Sequence, residues 1–385
     1  MPFRGRSVGE ERLRFVDQAL AGEKTISALC REFGISRQCG HTWLNRYREG
    51  GAAAVIGGRS RRPHNSPAKI SGNAESAILA LRRRWPEWGA PKLHRILLKE
   101  DPSQKVSVST VHRILVRHDL IHKYDSHPHA TREFEREAPN QLWQMDFKGP
   151  KGFRERSGPL SVLDDHSRYV VVLEHLESSK ADAVQGCLRR TFESHGLPEA
   201  MLMDHGTPWW NAGSPWGWTE LTVWLMRQGV RILLSGYRHP QTQGKVERMH
   251  GALHRALQRR HADGDQQSWL DEFRREYNEI RPHEALAMEP PASRWRPSDR
   301  PFRAEPEPWE YAAGHEVVTV NDRGRIWWRN HWFDLSRALR GQRVGVRVIG
   351  ERPVVYFCNT PIGELEKSGA LVRRLPVDPF RSLQC

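Results

Sequence analysis

Residues 143–147 read WQMDF, residues 201–206 read MLMDHG and residues 239–248 read HPQTQGKVER. The first two are short apolar runs that end around an aspartate, Asp146 and Asp204; the third opens an amphipathic stretch that carries Glu247. Successive side chains of a strand alternate between faces, so QLWQMDF puts Trp143, Met145 and Phe147 on one side and Leu142, Gln144 and Asp146 on the other. Asp204 closes its strand, and Gly206 lets the chain turn away. In TQGKVERMHGALHRAL, Val246, Met249, Leu253 and Leu257 form a helical stripe with Glu247 at its edge. Open α/β sheets gather their sites outside the carboxyl ends of their strands, where the two aspartates meet if their strands are neighbours. Three carboxylates in that place suit two hard cations roughly 3.5–4 Å apart against a phosphodiester, one activating the attacking water or 3′-hydroxyl and one steadying the leaving oxygen. An all-oxygen ligand set favours Mg²⁺, with Mn²⁺ as a substitute.

Around these runs the pattern alternates. Strands are expected at 141–147, 160–164, 168–174, 200–204 and 231–235, and helices at about 180–194, 217–228 and 242–260. That order implies a mixed sheet covered by helices. Asp164 and Asp165, in LDDHSR, are rival carboxylates; between two strands they are assigned to turn amides rather than to metal. Trp209, Trp210, Trp216, Trp218 and Trp224 crowd the stretch before the third acid. Packing of a long insertion against the core is the preferred account of them, and stacking on an unpaired base is the other.

Upstream, TISALCREFGISRQCGHTWLNRY (25–47) reads as a helix-turn-helix. Ile26, Leu29 and Phe33 recur at helical spacing, Gly34 breaks the first helix, and Ser36 caps a second whose Trp43, Leu44 and Tyr47 face inward. Arg37, Gln38 and His41 are left outward, with donors and acceptors suited to base edges in a major groove; a solvated polar face is the plainer reading. GGRSRRPHNSP falls in a basic linker, 57–72. A second helical group spans 73–122, with Pro91 in the first turn of one helix and Ser109 as the expected cap of another bearing Val111, Ile114 and Leu115. His94, His112, His118 and His122 lie among aliphatic residues without cysteines, so zinc is not expected there. Residues 123–139 connect to the core, 140–300. From 311 to 370 short β-type runs separated by Gly, Asn and Asp read as a small barrel or sandwich carrying Arg325, Arg329, Arg340, Arg343 and Arg347.

Bulk properties agree with a multidomain protein that meets a polyanion. The chain has 385 residues, 60 lysines and arginines against 46 acidic residues, and a net charge of +14. No run approaches the roughly 18 apolar residues of a membrane span, and MPFRGRSVGE lacks a secretory apolar region, so the expected place is the cytosol, on DNA. Five scattered cysteines without a CxxC pair indicate neither a disulfide framework nor a zinc finger.

The acidic runs, together with LDDHSRYVVV, HPQTQGKVER and YNEIRPHEAL (277–286), resemble the DDE superfamily of transposases and retroviral-type integrases, most closely bacterial insertion-sequence transposases. The resemblance extends over nearly the whole chain. It implies tandem helix-turn-helix heads at 1–56 and 73–122, an RNase H-like core at 140–300 with adjacent aspartate strands, and an SH3-like C-terminal barrel. It further implies catalysis by Asp146, Asp204 and Glu247 with two Mg²⁺ ions, and DNA-end contacts from Gln243, Lys245 and Arg248, of which Lys245 and Arg248 can equally be solvated helix charges. Double-stranded DNA, as transposon ends and target, is the expected partner, and a homo-oligomer is expected on paired ends. The implied activity is binding of terminal inverted repeats followed by strand cleavage and transfer. The alternative is a DNA-binding regulator whose integrase core has decayed; a retroelement integrase is disfavoured because the His/Cys zinc head is missing.

Overall fold

The computed structural model describes residues 7–57, 70–121, 135–153, 157–211, 213, 217–235, 244–257 and 265–366, with the backbone of 372–373. Two compact units divide the chain, Met1–Ile70 and Ser71–Cys385.

Among the described residues the first unit has three helices, α1 (Val8–Ala21), α2 (Ile26–Glu32) and α3 (Arg37–Ile56). Each starts on a hydroxyl cap: Ser7, Thr25 and Ser36 accept the N–H of Glu10, Ala28 and Cys39. Such caps contribute about 1 kcal/mol each. Phe15, Val16, Leu29, Cys30 and Leu44 form the core, with Ile26, Phe33, Trp43 and Tyr47 packed on it. Gly40 sets how close α3 comes to its neighbours. A Cβ there would lie 2.7 Å from Cys30 Sγ and 2.8 Å from Phe15 Cζ. Arg37, Gln38 and His41 all stand exposed along the first turns of α3.

The second unit opens with α4 (Gly72–Arg84), α5 (Ala90–Glu100) and α6 (Val108–Arg117). Pro91 sits in the first turn of α5, and Val111, Ile114 and Leu115 are buried in α6. The cap of α6 is Ser107, which accepts the N–H of Thr110; Ser109, expected in that role, is already inside the first turn. Trp85 and Trp88 stack at 4.4 Å, and buried Arg82 donates to the carbonyls of Trp88 and Leu120, tying α4 to the chain that leaves α6. Lys92 and Arg95 of α5 pair with Glu284 and Glu289, downstream of the sheet described next.

The sheet is built from β1 (Trp143–Phe147), β2 (Leu160–Asp164) and β3 (Val170–Glu174), then α7 (Ala181–His195), β4 (Ala200–Met203), α8 (Glu220–Arg227), β5 (Arg231–Leu234), α9 (Gly244–Ala256) and α10 (Gln266–Arg275). Its order is β3-β2-β1-β4-β5: β1, β2 and β3 pair antiparallel, while β1–β4 and β4–β5 are parallel. This is the mixed α/β sheet that the alternation predicts. Trp143, Met145, Met201 and Met203 pack on one face with Phe192 of α7 and Leu221 of α8. Leu163, Val170 and Leu173 pack on the other with Val246, Met249 and Leu253 of α9 and Leu270 and Phe273 of α10. Past α10 a widened turn, Glu276–Ile280, lets buried Asn278 donate to the carbonyl of Val170 and accept from its N–H, closing the edge of β3.

The C-terminal strands are β6 (Glu316–Thr319), β7 (Arg325–Trp328), β8 (His331–Asp334), β9 (Arg343–Ile349), β10 (Arg352–Phe357), β11 (Thr360–Leu365) and β12 (Val372–Arg373). They form an antiparallel sheet, β12-β11-β10-β9-β6, and a separate hairpin, β7–β8. Among the described residues no ladder closes them into the expected barrel. Their apolar face is continuous with the core of the larger sheet: Ile326, Phe333, Val346, Val355 and Ile362 share one cluster with Trp209, Trp210 and Trp218. Trp218 Nε1 donates to the Ile362 carbonyl at 3.2 Å, and Ser336 Oγ donates to the Trp218 carbonyl at 3.1 Å. Trp209, Trp210 and Trp218 are thus packed in this shared core; Trp216 lies outside the described residues.

Candidate functional site

In the β1–β4 ladder Trp143 pairs with Met201 and Gln144 with Leu202. Carried two residues further, the same register sets Asp146 beside Asp204, both at the carboxyl ends of neighbouring parallel strands. Alternation does the rest. Met145 and Met203 point into the α7 face, so the two aspartates project from the opposite face, where α9 lies. Glu247 is on the first turn of α9, exposed, and Val246 behind it is anchored by its N–H to Gln144 Oε1.

The electrostatics of this corner are those of crowded anions. Burial first, then the charges of Asp204 and Glu247, push the Asp146 carboxyl up to about 7, against a partly opposing Lys148. Burial also raises Glu247. Asp204 is fastened by the loop after it: its Oδ1 accepts the Gly206 N–H at 2.8 Å and Trp209 Nε1–H at 2.7 Å. A side chain at residue 206 would clash, since a Cβ would lie 2.9 Å from Oδ1 and 3.1 Å from Oδ2 of Asp204.

Two neighbours escaped the sequence reading. His250, one turn after Glu247 and buried, has Nε2 2.9 Å from Ser161 Oγ and Nδ1 3.9 Å from Asp146 Oδ2. Burial, helped by Lys148, pulls its pKa down to about 3, so it is a neutral imidazole and not a counter-ion. The spacing E-x-x-H was the available signal, because one helical turn puts both residues against the same strand end. Lys148, two residues beyond Asp146, is the cation whose charge acts on both Asp146 and His250.

The donor set fits a hard divalent ion: carboxylate oxygens whose mutual repulsion a cation would relieve. Asp204 is the stronger electrostatic neighbour of Asp146, and Glu247 the weaker. Among the described residues no group of three acidic, histidine or cysteine side chains is placed to hold one metal ion. The two aspartates are thus juxtaposed and Glu247 stands beside them, on the adjoining helix.

The other candidates separate clearly. Lys245 is largely buried, with Nζ 2.6 Å from Asp165 Oδ1, and burial lowers its pKa to about 8. Asp165 also accepts from Arg136 N and Gln144 Nε2, and Asp164 from Asn140 N and from Ser167 N and Oγ, the amide-binding work expected of this pair. Arg248 is exposed, and Gln243 lies outside the described residues. His94 and His118 contact the Val106 carbonyl and Glu75 rather than each other, and His122 lies outside the described residues. No helix of the described residues is long and apolar enough to cross a membrane.

Comparison with known proteins matches four family models: a helix-turn-helix domain over residues 11–64, a homeodomain-like domain over 39–115, and two integrase core domain models over 136–240 and 228–291. The chain is 25% identical over 251 residues to y4bF of Sinorhizobium fredii, a protein that bears the name of a transposase; the match covers 63% of this chain and 54%, about half, of that protein. It is 24% identical over 283 residues to the 39.2 kDa protein of insertion element IS476 of Xanthomonas euvesicatoria, covering 70% of this chain and 78% of that one. Among solved structures it is similar to the catalytic core domain of BIV integrase, at 19% identity and a TM-score of 0.32 over 40% of this chain and 92% of that one. A second is the HTLV-2 integrase catalytic core domain in complex with magnesium, at 12% identity and a TM-score of 0.33 over 41% of this chain and 97% of that one. The chain thus carries helix-turn-helix domains joined to an integrase core, and is similar to transposase and insertion-element proteins.

Proposed function

We propose that this protein is a DNA transposase that binds the terminal inverted repeats of an insertion sequence, cuts to expose 3′-hydroxyls and joins them to target DNA. The observation that carries the reading is the β1–β4 register, which brings Asp146 and Asp204 to one sheet edge beside the helix of Glu247. Asp146, Asp204 and Glu247 are the residues that would hold two Mg²⁺ ions. Bound there, the ions would lower the pKa of the attacking hydroxyl and offset charge on the leaving oxygen. Lys148 offsets charge on the phosphodiester from the Asp146 side. His250 remains neutral and braces β2 against α9 through Ser161. Copies of the chain assemble on paired ends, as joining two ends to one target requires.

A direct test uses labelled duplexes carrying the DNA that flanks the gene. Mg²⁺-dependent nicking at a terminal repeat, followed by joining of that 3′ end to a second duplex, is expected. Repeat binding without any metal-dependent cleavage would instead favour a regulator with a decayed core.

Recognition is assigned to α3 and the group α4–α6. Arg37, Gln38 and His41 lie on the exposed entry to α3, where side chains reach base edges. Arg37→Ala is expected to weaken binding to the cognate repeat by about 1–3 kcal/mol, with far less effect on a scrambled duplex. Equal losses on both duplexes in a gel-shift titration would reduce Arg37 to a phosphate contact.

The C-terminal sheet, read as an SH3-like barrel, is assigned sequence-independent affinity. Arg325, Arg329 and Arg340 pair with Asp334, Glu316 and Glu220, whereas Arg343 and Arg347 are exposed on β9 with no ion-pair partner among the described residues. Because the sheet shares its core with the integrase domain, substitutions serve better than truncation. Arg343→Gln with Arg347→Gln should flatten the slope of log K against log salt by roughly 1.8 on every duplex, about 0.9 per lost phosphate contact. An unchanged slope would remove these arginines from the DNA.

A further inference from the structure

We propose that Trp209 is a positioning residue for Asp204, its indole N–H holding one carboxylate oxygen so that the other is presented to a divalent cation. The proposal rests on the metal-dependent reading above and adds a residue to it. Oδ1 of Asp204 takes both donors that the loop supplies, Trp209 Nε1–H at 2.7 Å and Gly206 N–H at 2.8 Å. Among the described residues no hydrogen bond reaches Oδ2. An anionic oxygen with two short donors is fixed in direction, and the remaining oxygen is fixed with it.

Trp209 is well placed to keep that direction. It is 1% exposed, and its ring stacks on Phe147 at 5.6 Å with planes 11° apart. Phe147 follows Asp146 on β1. One indole therefore touches the ends of both aspartate strands, through its face at β1 and through its N–H at Asp204. Core packing alone would use the face and the area of the ring but has no need of the N–H; an apolar ring would serve as well. A buried indole N–H must find an acceptor somewhere, and here that acceptor is one of the three acids.

The experiment compares the full-length wild type with Trp209→Phe and with a protein carrying benzothienylalanine at position 209, in which sulfur replaces the N–H in a ring of the same shape. Mn²⁺ alone is the probe, with binding followed by isothermal titration and by the loss of free-ion paramagnetic resonance signal. Both variants are expected to bind Mn²⁺ about tenfold more weakly, the lower end of what loss of a partner to a ligand costs. Nicking should need correspondingly more metal while its rate at saturating metal recovers most of the wild-type value. The benzothienylalanine protein keeps the stack on Phe147, so a folding failure of Trp209→Phe does not spoil the test. Wild-type Mn²⁺ affinity in the benzothienylalanine protein would overturn the proposal and leave Trp209 as packing. Absence of Mn²⁺ binding by the wild type, or wild-type binding by Asp204→Asn, would overturn the metal-site reading itself, a result distinct from the first.

Discussion

Asp146→Asn, Asp204→Asn and Glu247→Gln are each expected to lower nicking and joining by at least about a thousandfold, on the order of 4 kcal/mol of transition-state stabilisation, while repeat binding stays within about twofold. Each change removes one charge and little volume, so the sheet edge keeps its shape. On the proposed reading binding is spared because Arg37, Gln38 and His41 lie in the other compact unit and α4–α6 contribute none of the three acids. Combining two changes should be hardly worse than one if, as proposed, the acids act as a unit. Quantitative nicking assays over a range of Mg²⁺ concentrations measure this directly. A residue whose variant still nicks at a tenth of the wild-type rate does not belong to the site, and Glu247, whose charge acts on Asp146 more weakly than that of Asp204, is the sharpest test.

The second expectation has the opposite sign: Asp146→Asn should stabilise the metal-free protein at neutral and alkaline pH. The Asp146 carboxyl is held up at about 7 in the folded state, against an ordinary value of 3.8. Between those two values the folded chain keeps a proton that the unfolded chain releases, so stability falls as pH rises from about 4 to about 7 and then levels off. The full penalty is about 4 kcal/mol as an upper bound, the product of roughly three pKa units and about 1.4 kcal/mol per unit. Asparagine does not ionise, so the variant escapes it. Urea unfolding in the presence of chelator should give near-equal midpoints for wild type and variant at pH 4.5 and a clearly higher midpoint for the variant at pH 8. Added Mg²⁺ should close the gap by restoring the wild type alone. A pH-independent difference would mean that the proton is not held where the geometry puts it.

Much of this site is visible in the primary structure because its determinants are local. Asp146 and Asp204 each terminate an apolar run, and alternation fixes the face from which they project; Ser36 and Gly34 mark the helix-turn-helix boundaries by their own chemistry. Asp164 and Asp165 are legible as turn carboxylates for the same reason. What stays hidden depends on partners far away in sequence. Lys245 looks like a free helix cation until β2 delivers Asp165 beneath it. His250 reads as one more polar residue among several on α9, and only the packing of that helix on β1 and β2 turns it toward Asp146 and Ser161. The misplaced cap of α6 is of another kind: Ser107 and Ser109 are both competent, and the choice rests on where the preceding loop releases the chain.

Trp218 joins the larger sheet to strands that are made much later. Its indole reaches the carbonyl of Ile362, 144 residues later, and Asn140, at the entry to β1, donates to the carbonyl of Arg296, 156 residues later. A chain leaving the ribosome at about 5–20 residues per second would wait roughly 7–30 s between the emergence of Trp218 and that of Ile362. Through that interval Trp209, Trp210 and Trp218 lack the apolar face that covers them in the finished protein. The N-terminal helices, whose contacts are short in sequence, have no such wait. During synthesis, then, the N-terminal helices can finish folding well before the sheet that carries Asp146 and Asp204 is covered.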